Sequence, residues 1–170
     1  MAQGWGLTRR ILRMRHLLLG IDALRILGHG QADGLLRLHE AERGLVPDDV
    51  YQIRAIVSQW IADPDIQAVI TTGGTGLTGR DGTPEAVAPL LDKQIDGFGE
   101  MFRVISYELI GTSTMQSRAL AGVANGTFVF CLPGSSGACK DAWTKLISHQ
   151  LDYRTRPCNL VELMPRLTEA

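Results

Sequence analysis

The sequence has no apolar run close to the ~20 residues that a membrane-spanning helix needs. Its 3 cysteines form no C-x-x-C pair, which argues against a disulfide framework and against a zinc site. The apolar stretch that follows the first arginines ends at Asp22 and is too short for a signal peptide. We therefore expect a cytoplasmic protein with no membrane partner, whose cysteines are mostly buried thiols.

An excess of charge of one sign is also lacking. Lys and Arg total 17 against 18 for Asp and Glu, so the net charge is -1 at pH 7. Proteins that bind nucleic acid carry a basic excess or a basic patch, and no nucleic-acid partner is expected here. The chain of 170 residues is 45% hydrophobic and 21% charged, which is typical of one globular domain with a full core.

Residues 1–45 differ in composition from the rest of the chain. They contain 7 of the arginines, 3 of the 4 histidines, and neither lysine nor valine. Because β-branched residues are nearly absent, no buried strand is predicted there. The leucine-rich stretches Leu17–Leu27 and Leu35–Leu38 favour amphipathic helices, with a break at Gly28–Gly30. The sequence thus divides into an atypical segment, residues 1–45, and an α/β domain, residues 46–170.

The second part alternates between helix and strand patterns. Short apolar runs at Ile66–Thr72 and Thr127–Leu132 predict two buried strands, each followed by glycine. Asp48 and Thr83 stand where helix N-caps are expected. Helical spacing of apolar residues predicts helices over 48–62, from Thr83 onward, and over 97–110, 115–123 and 139–151. This order predicts an α/β fold with a mostly parallel central sheet.

Two loops that follow the predicted strands, Gly73–Gly76 and Pro133–Ser136, are rich in Gly, Ser and Thr. Ligands of open parallel sheets bind beyond the carboxyl ends of the strands. Glycine lets several backbone N–H groups converge on an anion, and the hydroxyls of Thr75 and Ser135 can add hydrogen bonds. The loops therefore predict a phosphate or nucleotide site. The alternative is that they are tight turns, which need glycine in any case.

The known phosphate-loop spacings are missing. No lysine follows Gly76 as a Walker loop requires, and the G-x-G-x-x-G spacing is absent. A phosphate site would then rely on backbone amides and a metal. Asp48 and Asp81 flank the first loop in sequence and are candidates for Mg²⁺ coordination. The alternatives are a plain helix cap for Asp48 and a tight turn at Asp81–Gly82.

Several motifs, taken in order, resemble the MoaB/Mog family of molybdenum cofactor biosynthesis proteins. They are Val46-Pro47-Asp48-Asp49, Thr71-Thr72-Gly73-Gly74-Thr75-Gly76, Arg80-Asp81-x-Thr83-Pro84-Glu85-Ala86, Gly111-Thr112-Ser113, Ser117-Arg118-Ala119-x-Ala121-Gly122 and Pro133-Gly134-Ser135-x-x-Ala138-Cys139. The tail Asp152–Asn159 is similar to the bacterial MoaB branch in particular. The resemblance covers residues 46–160.

The resemblance implies a three-layer α/β fold that binds molybdopterin, and adenylylation of molybdopterin with Mg-ATP as the activity. It implies that Asp48 and Asp81 are the catalytic and metal-side carboxylates. The ligand-binding positions that it implies are Gly73, Gly74, Thr75, Gly76, Arg80, Pro133, Gly134 and Ser135. It also implies a homotrimer, or a homohexamer built from trimers. The alternative function is non-catalytic binding or transfer of molybdopterin, since some members of the MoaB branch bind without catalysing.

Residues 1–45 depart from the family pattern. The family opens with a strand that ends in a Val-Ser-Asp-like sequence and continues into an Asp-x-x-Ser-Gly-like loop, and neither is present. One interpretation is an out-of-frame reading of a GC-rich gene, which yields a segment rich in Arg, His, Leu and Gly. The other is a genuinely divergent segment. Under either interpretation, the first strand of the family fold and one wall of the site are left open by this sequence.

Overall fold

The computed structural model describes residues 21–30 and 36–169, with side chains from residue 43 onward. Within this part, six strands form one sheet in the order β2-β1-β3-β6-β5-β4. The strands are β1 Ile21–Gly30, β2 Leu36–Val46, β3 Ala68–Thr72, β4 Lys93–Gln94, β5 Leu120–Ala124 and β6 Thr127–Leu132. The helices are α1 Val50–Ile61, α2 Thr83–Val87, α3 Asp96–Ile110, α4 Ser136–Ala142 and α5 Ser148–Gln150. Short 3-10 segments lie at Ala88–Leu90, Gly111–Gln116 and Val161–Arg166.

The predicted α/β fold class is confirmed, and the parallel pairing lies at the centre of the sheet. Strands β3 and β6 are parallel and in register, with Ala68 opposite Phe128 and Thr72 opposite Leu132. The other described strand pairs are antiparallel: β1 with β2, β1 with β3, β5 with β6 and β4 with β5. The two strands that lead into the glycine loops are therefore neighbours that point the same way.

Alternation along β3 and β6 builds a core on each face of the sheet. Val69 and Val129 are buried against Val57 and Trp60 of α1. Ile70, the next residue of β3, belongs to a second core on the other face of the sheet. The second core also holds Phe98, Phe102, Phe128, Phe130 and Ile147. Helices thus cover both faces of the central strands, as the expected three-layer arrangement requires.

Two helix caps differ from the predicted ones. Asp49, rather than Asp48, caps α1: its backbone is extended and its Oδ1 accepts hydrogen bonds from the backbone N–H groups of Tyr51 and Gln52. Gly82, rather than Thr83, is the N-cap residue of α2. The Thr83 hydroxyl is used elsewhere, because it donates to the carbonyl oxygen of Gly73. Each prediction was wrong by one residue.

The predicted helix over 115–123 is wrong. A 3-10 turn, Gly111–Gln116, leads instead into strand β5. The tight connection from β5 to β6 explains this, since Asn125 and Gly126 have positive φ angles of 48° and 80°. An Asn-Gly pair between two apolar runs is a strong β-hairpin signal. The hairpin pairing therefore outweighs the helical spacing of the apolar residues.

The helices expected within residues 1–45 are also wrong where the chain is described. Ile21–Gly30 and Leu36–Val46 form the antiparallel strands β1 and β2; the first residues of the predicted stretches, 17–20 and 35, lie outside the described part. Asp22–Ile26 of β1 pairs with the exposed edge of β3. A strand edge offers unpaired N–H and C=O groups, and this pairing satisfies them in spite of the weak β-propensity of the segment.

The last long helix is interrupted. The predicted helix over 139–151 corresponds to α4, a π-helical stretch Trp143–Ile147, and α5. Ile147 and Leu151 are buried, and Trp143 and Leu146 pack against the same core, as expected. None of the helices in the described part is both long enough and apolar enough to cross a membrane.

Candidate functional site

The two glycine loops lie side by side at the carboxyl ends of β3 and β6. The backbone N–H of Gly73 donates to the carbonyl oxygen of Leu132 at 3.0 Å, which carries the parallel ladder one step beyond the strands. Gly73 and Gly74 have φ angles of 103° and 62°, a conformation that favours glycine. A Cβ at Gly134 would lie 3.2 Å from the Cα of Gly73. The approach of the two loops therefore depends on glycine in both of them.

Three side chains fix these loops from behind. The Thr72 hydroxyl lies 3.1 Å from the carbonyl oxygen of Pro133 and 3.0 Å from the sulfur of Cys139. The Cys139 thiol donates to the same Pro133 carbonyl at 3.2 Å. On the other side, the Thr83 hydroxyl donates to the Gly73 carbonyl at 2.9 Å. These bonds attach both loops to the ends of β3, α2 and α4. Cys139 is buried, so it acts here as a structural thiol, as the sequence predicted.

The carboxylate of Asp81 is held by the loop that precedes it. Oδ2 of Asp81 accepts hydrogen bonds from the hydroxyl and the backbone N–H of Thr78, at 2.5 and 2.9 Å. These two bonds, followed by one from the backbone of Gly76, lower the pKa of Asp81 from its ordinary value of 3.8. A Cβ at Gly76 would lie only 2.7 Å from Oδ2. Asp81 is thus a fixed carboxylate that stays ionised at neutral pH.

Arg118 connects the parts of this loop. Its guanidinium donates to the carbonyl oxygens of Thr75 and Asp81, at 3.3 and 2.8 Å, and forms an ion pair with Glu85 at the start of α2. The ion pair lowers the pKa of Glu85. Arg118 stands just before β5, and it therefore positions the Asp81 loop from a different part of the sheet.

A pocket of about 440 Å³ opens in front of the two loops. It brings together most of the predicted ligand-binding positions. One wall consists of Gly73, Gly74, Thr75, Gly76, Asp81, Pro133, Gly134 and Ser135. Ser135 also caps α4, because its hydroxyl accepts from the backbone N–H of Ala138 at 3.2 Å.

Asp48 and Arg80 are not among the residues that line this pocket. Both are exposed. Asp48 lies two residues before Val50, the first residue of α1. Val50 packs closely on Gly82, because a Cβ at Gly82 would lie 2.8 Å from Cγ2 of Val50. Asp48 therefore lies near the turn that carries Asp81, but outside the pocket wall. Within residues 43–169, no three His, Cys, Asp or Glu side chains form a metal-ligand cluster.

The opposite wall of the pocket was not predicted. It is formed by Phe102, Ser106, Ile110, Ser113, Gln116 and Ser117, from α3 and the 3-10 turn that follows it. One signal for this wall was available in the sequence. Ser106 follows Phe98 and Phe102 at intervals of four residues, which places a hydroxyl on the apolar face of α3. Arg118 belongs to one of the family-like motifs, but the sequence assigned it no role, since its partners come from distant parts of the chain.

Comparison with known proteins identifies the class. Residues 36–153 match the family described as "Probable molybdopterin binding domain". The glycine-loop pocket and strands β2 to β6 lie within the matched region, and the chain belongs to this molybdopterin-binding domain family.

Several similar relatives carry one name. The chain is 57% identical over 121 residues to molybdenum cofactor biosynthesis protein B of Escherichia coli (strain K12), a match that covers 71% of each chain. It is 47% identical to the protein of that name from Staphylococcus aureus, over 72% of this chain and 73% of the relative. A crystal structure of molybdenum cofactor biosynthesis protein B superposes with a TM-score of 0.60 at 50% identity, over 62% of this chain and 66% of that one. The resemblance seen in the sequence is thereby confirmed.

Proposed function

We propose that this protein acts in molybdenum cofactor biosynthesis by binding molybdopterin in the pocket between the glycine loops and α3, and by adenylylating it with Mg-ATP. One observation carries the proposal: two glycine loops and the fixed, ionised carboxylate of Asp81 line the same pocket. Backbone amides at such loops suit phosphate groups, and both proposed substrates carry phosphate. The relatives named molybdenum cofactor biosynthesis protein B support the pathway.

In this reaction, a phosphate oxygen of molybdopterin attacks the α-phosphorus of ATP. A new P–O bond forms, the bond to pyrophosphate breaks, and the products are adenylylated molybdopterin and pyrophosphate. Mg²⁺ that enters with ATP neutralises phosphate charge. It is held in proteins by one or two carboxylates together with substrate phosphates, and one pocket carboxylate, Asp81, fits that mode. The loops around Gly74 and Gly134 bind and orient the phosphate of molybdopterin and the phosphates of ATP.

The second candidate is a protein that binds molybdopterin without chemistry. One observation favours it: Asp48, the other expected carboxylate, is exposed and is not among the pocket-lining residues. Binding alone does not need two acids beside a phosphate site. The two candidates share the pocket and differ in whether ATP is consumed.

The experiment is an assay of the purified full chain with molybdopterin and Mg-ATP. The products are separated by chromatography and identified by mass. Adenylylated molybdopterin and an equal amount of pyrophosphate are expected. Measurable molybdopterin binding with no adenylylated product would favour the binding-only function, and absence of both would reject the proposal.

Replacement Asp81→Asn should lower turnover on the order of 10²-fold, the scale for a lost electrostatic contact in a transition state. It should leave molybdopterin affinity nearly unchanged, because a carboxylate repels bound phosphate unless a metal lies between them. Turnover and affinity are measured on the same preparation. The matched control is Asp65→Asn. Asp65 is an exposed acid that precedes β3, at the end of the strand away from the glycine loops, and it does not line the pocket. Weakened binding with intact turnover would make Asp81 a ligand-orienting residue instead.

We also propose that the protein is a homotrimer, or a hexamer built from trimers. Helix α3 exposes Met101, Val104, Tyr107 and Ile110, each at least half accessible. Monomers rarely leave several large apolar side chains on one helix exposed to water. Light scattering of the purified chain should give a mass well above 18.6 kDa, and a mass of one chain would reject the assembly.

A further inference from the structure

Two buried hydroxyls in the described part of the chain differ from the others. Most buried polar side chains there have a partner: the hydroxyls of Thr71, Thr83, Thr114 and Thr127 each donate to a backbone carbonyl. Thr75 and Ser106 are only 4% and 9% exposed, and their hydroxyls make no hydrogen bond within residues 43–169. Both residues line the pocket.

A buried hydroxyl without a partner is unfavourable and uncommon. The Thr75 and Ser106 hydroxyls belong to residues that line the same pocket. They come from different elements, the first glycine loop and the middle of α3. Packing does not require a hydroxyl at Ser106, since its neighbours on the buried face of α3 are Phe98 and Phe102. A molecule bound in the pocket is able to supply a partner to each hydroxyl.

The two walls differ in the chemistry that they offer. The glycine loops and Asp81 present backbone amides and a carboxylate, which suit phosphate and its counter-ion. The α3 wall presents the apolar side chains of Phe102 and Ile110 around the Ser106 hydroxyl. Apolar surface with a single hydrogen-bonding group is the usual lining for a flat heterocycle. The same pocket thus separates a phosphate side from a ring side.

We infer that Ser106 is a ligand-binding residue that hydrogen-bonds the fused nitrogen heterocycle of a substrate, with Thr75 as its counterpart across the pocket. The inference rests on the proposed function, whose two substrates both carry such a ring: the pterin of molybdopterin and the adenine of ATP. The shared chemistry is a planar ring with nitrogen and oxygen or amino groups at its edge. Titration with each substrate separately identifies which ring Ser106 contacts.

The test is Ser106→Ala in the full chain, with affinities for molybdopterin and for Mg-ATP measured separately by calorimetry. Loss of one hydrogen bond should weaken binding of one of the two substrates roughly 3- to 10-fold. The thermal midpoint of the free protein should stay the same or rise, because the substitution removes an unpaired polar group from a buried position. Ser106→Cys, which keeps the side-chain branching and a weak donor in a somewhat larger group, should fall between wild type and Ser106→Ala.

Thr127→Val is the matched control. Its hydroxyl is buried and bonded to the carbonyl of Ile66 at 2.9 Å, away from the pocket lining, so this variant should lose thermal stability and keep both affinities. If Ser106→Ala binds both substrates as wild type does, the inference is wrong. If it behaves like Thr127→Val, with a lower midpoint and unchanged affinity, Ser106 is structural and the inference is again wrong. Failure of the wild type to bind either substrate would instead reject the proposed function.

Discussion

At the scale of single residues, the site depends on how close backbone and side chains can approach one another. Gly76 leaves room for the Asp81 carboxylate, and Gly134 leaves room for Gly73. The positions of these glycines after apolar runs predicted them as site residues, whereas the site role of Asp81 was implied by the family resemblance. It did not predict that Thr78 would hold Asp81, nor that Asp49 rather than Asp48 would cap α1. Such choices depend on the local backbone conformation and hydrogen-bond geometry, which residue spacing does not encode.

A prediction at this scale concerns Thr78→Val, which keeps the backbone donor and the shape of the side chain but removes the hydroxyl bonded to Asp81. The pKa of Asp81 should rise toward 3.8, since the Thr78 hydroxyl is the largest cause that lowers it. Carboxyl NMR titration measures the shift directly. Thr112→Val, an exposed threonine of the 3-10 turn, is the control.

The sign of the accompanying stability change follows from the lowered pKa of the folded state. The Thr78 bonds contribute stability that is fully present above the unfolded pKa, near 3.8, and that is lost as the pH falls through the lower folded value. Thr78→Val should therefore be less stable than wild type at pH 7, and the difference should shrink in acid. An equal difference at all pH values would mean that the hydroxyl acts through packing alone.

At the scale of elements, the sequence predicted the two central strands from their apolar runs. It predicted helices over 48–62 and 97–110 from their helical spacing, and the structure has them at Val50–Ile61 and Asp96–Ile110. It failed for β5, where Leu120, Ala121 and Val123 also fit a helix. The pairing of β5 with β6 decides its conformation, and that pairing depends on the turn at Asn125 and Gly126. The α3 wall of the pocket was missed for a related reason. Its position opposite the glycine loops results from packing over the sheet, which the helical pattern does not reveal.

Replacement Gly122→Ala tests the close packing of β5. A Cβ at this position would lie 2.6 Å from the carbonyl oxygen of Lys93 in β4 and 2.5 Å from Cδ1 of Leu91. The free energy of unfolding should fall by about 1–3 kcal/mol, as for other overpacked positions. Urea denaturation gives the value. Gly97→Ala in α3, where a Cβ would meet no atom within 4 Å, is the matched control and should be neutral or stabilising. Equal stability of the two variants would contradict the described packing.

At the scale of the whole molecule, the chain combines a matched α/β domain with an atypical beginning. The family match starts at residue 36, whereas the motifs begin at Val46. Strand β1 covers the edge of β3 in antiparallel pairing. The out-of-frame and divergent interpretations of residues 1–45 make different predictions for the DNA upstream of the Val46 codon. A Val-Ser-Asp-like strand and an Asp-x-x-Ser-Gly-like loop in another frame would establish the former, and their absence from all three frames the latter.

The central claim is that molybdopterin binds between the glycine loops and α3. A crystal structure of the full chain saturated with molybdopterin tests it most directly. We expect the phosphate beside Gly73–Gly76 or Pro133–Ser135 and the pterin or its linker toward the wall of Phe102 and Ser106. Density for molybdopterin at another surface, with this pocket filled only by water, would contradict the account.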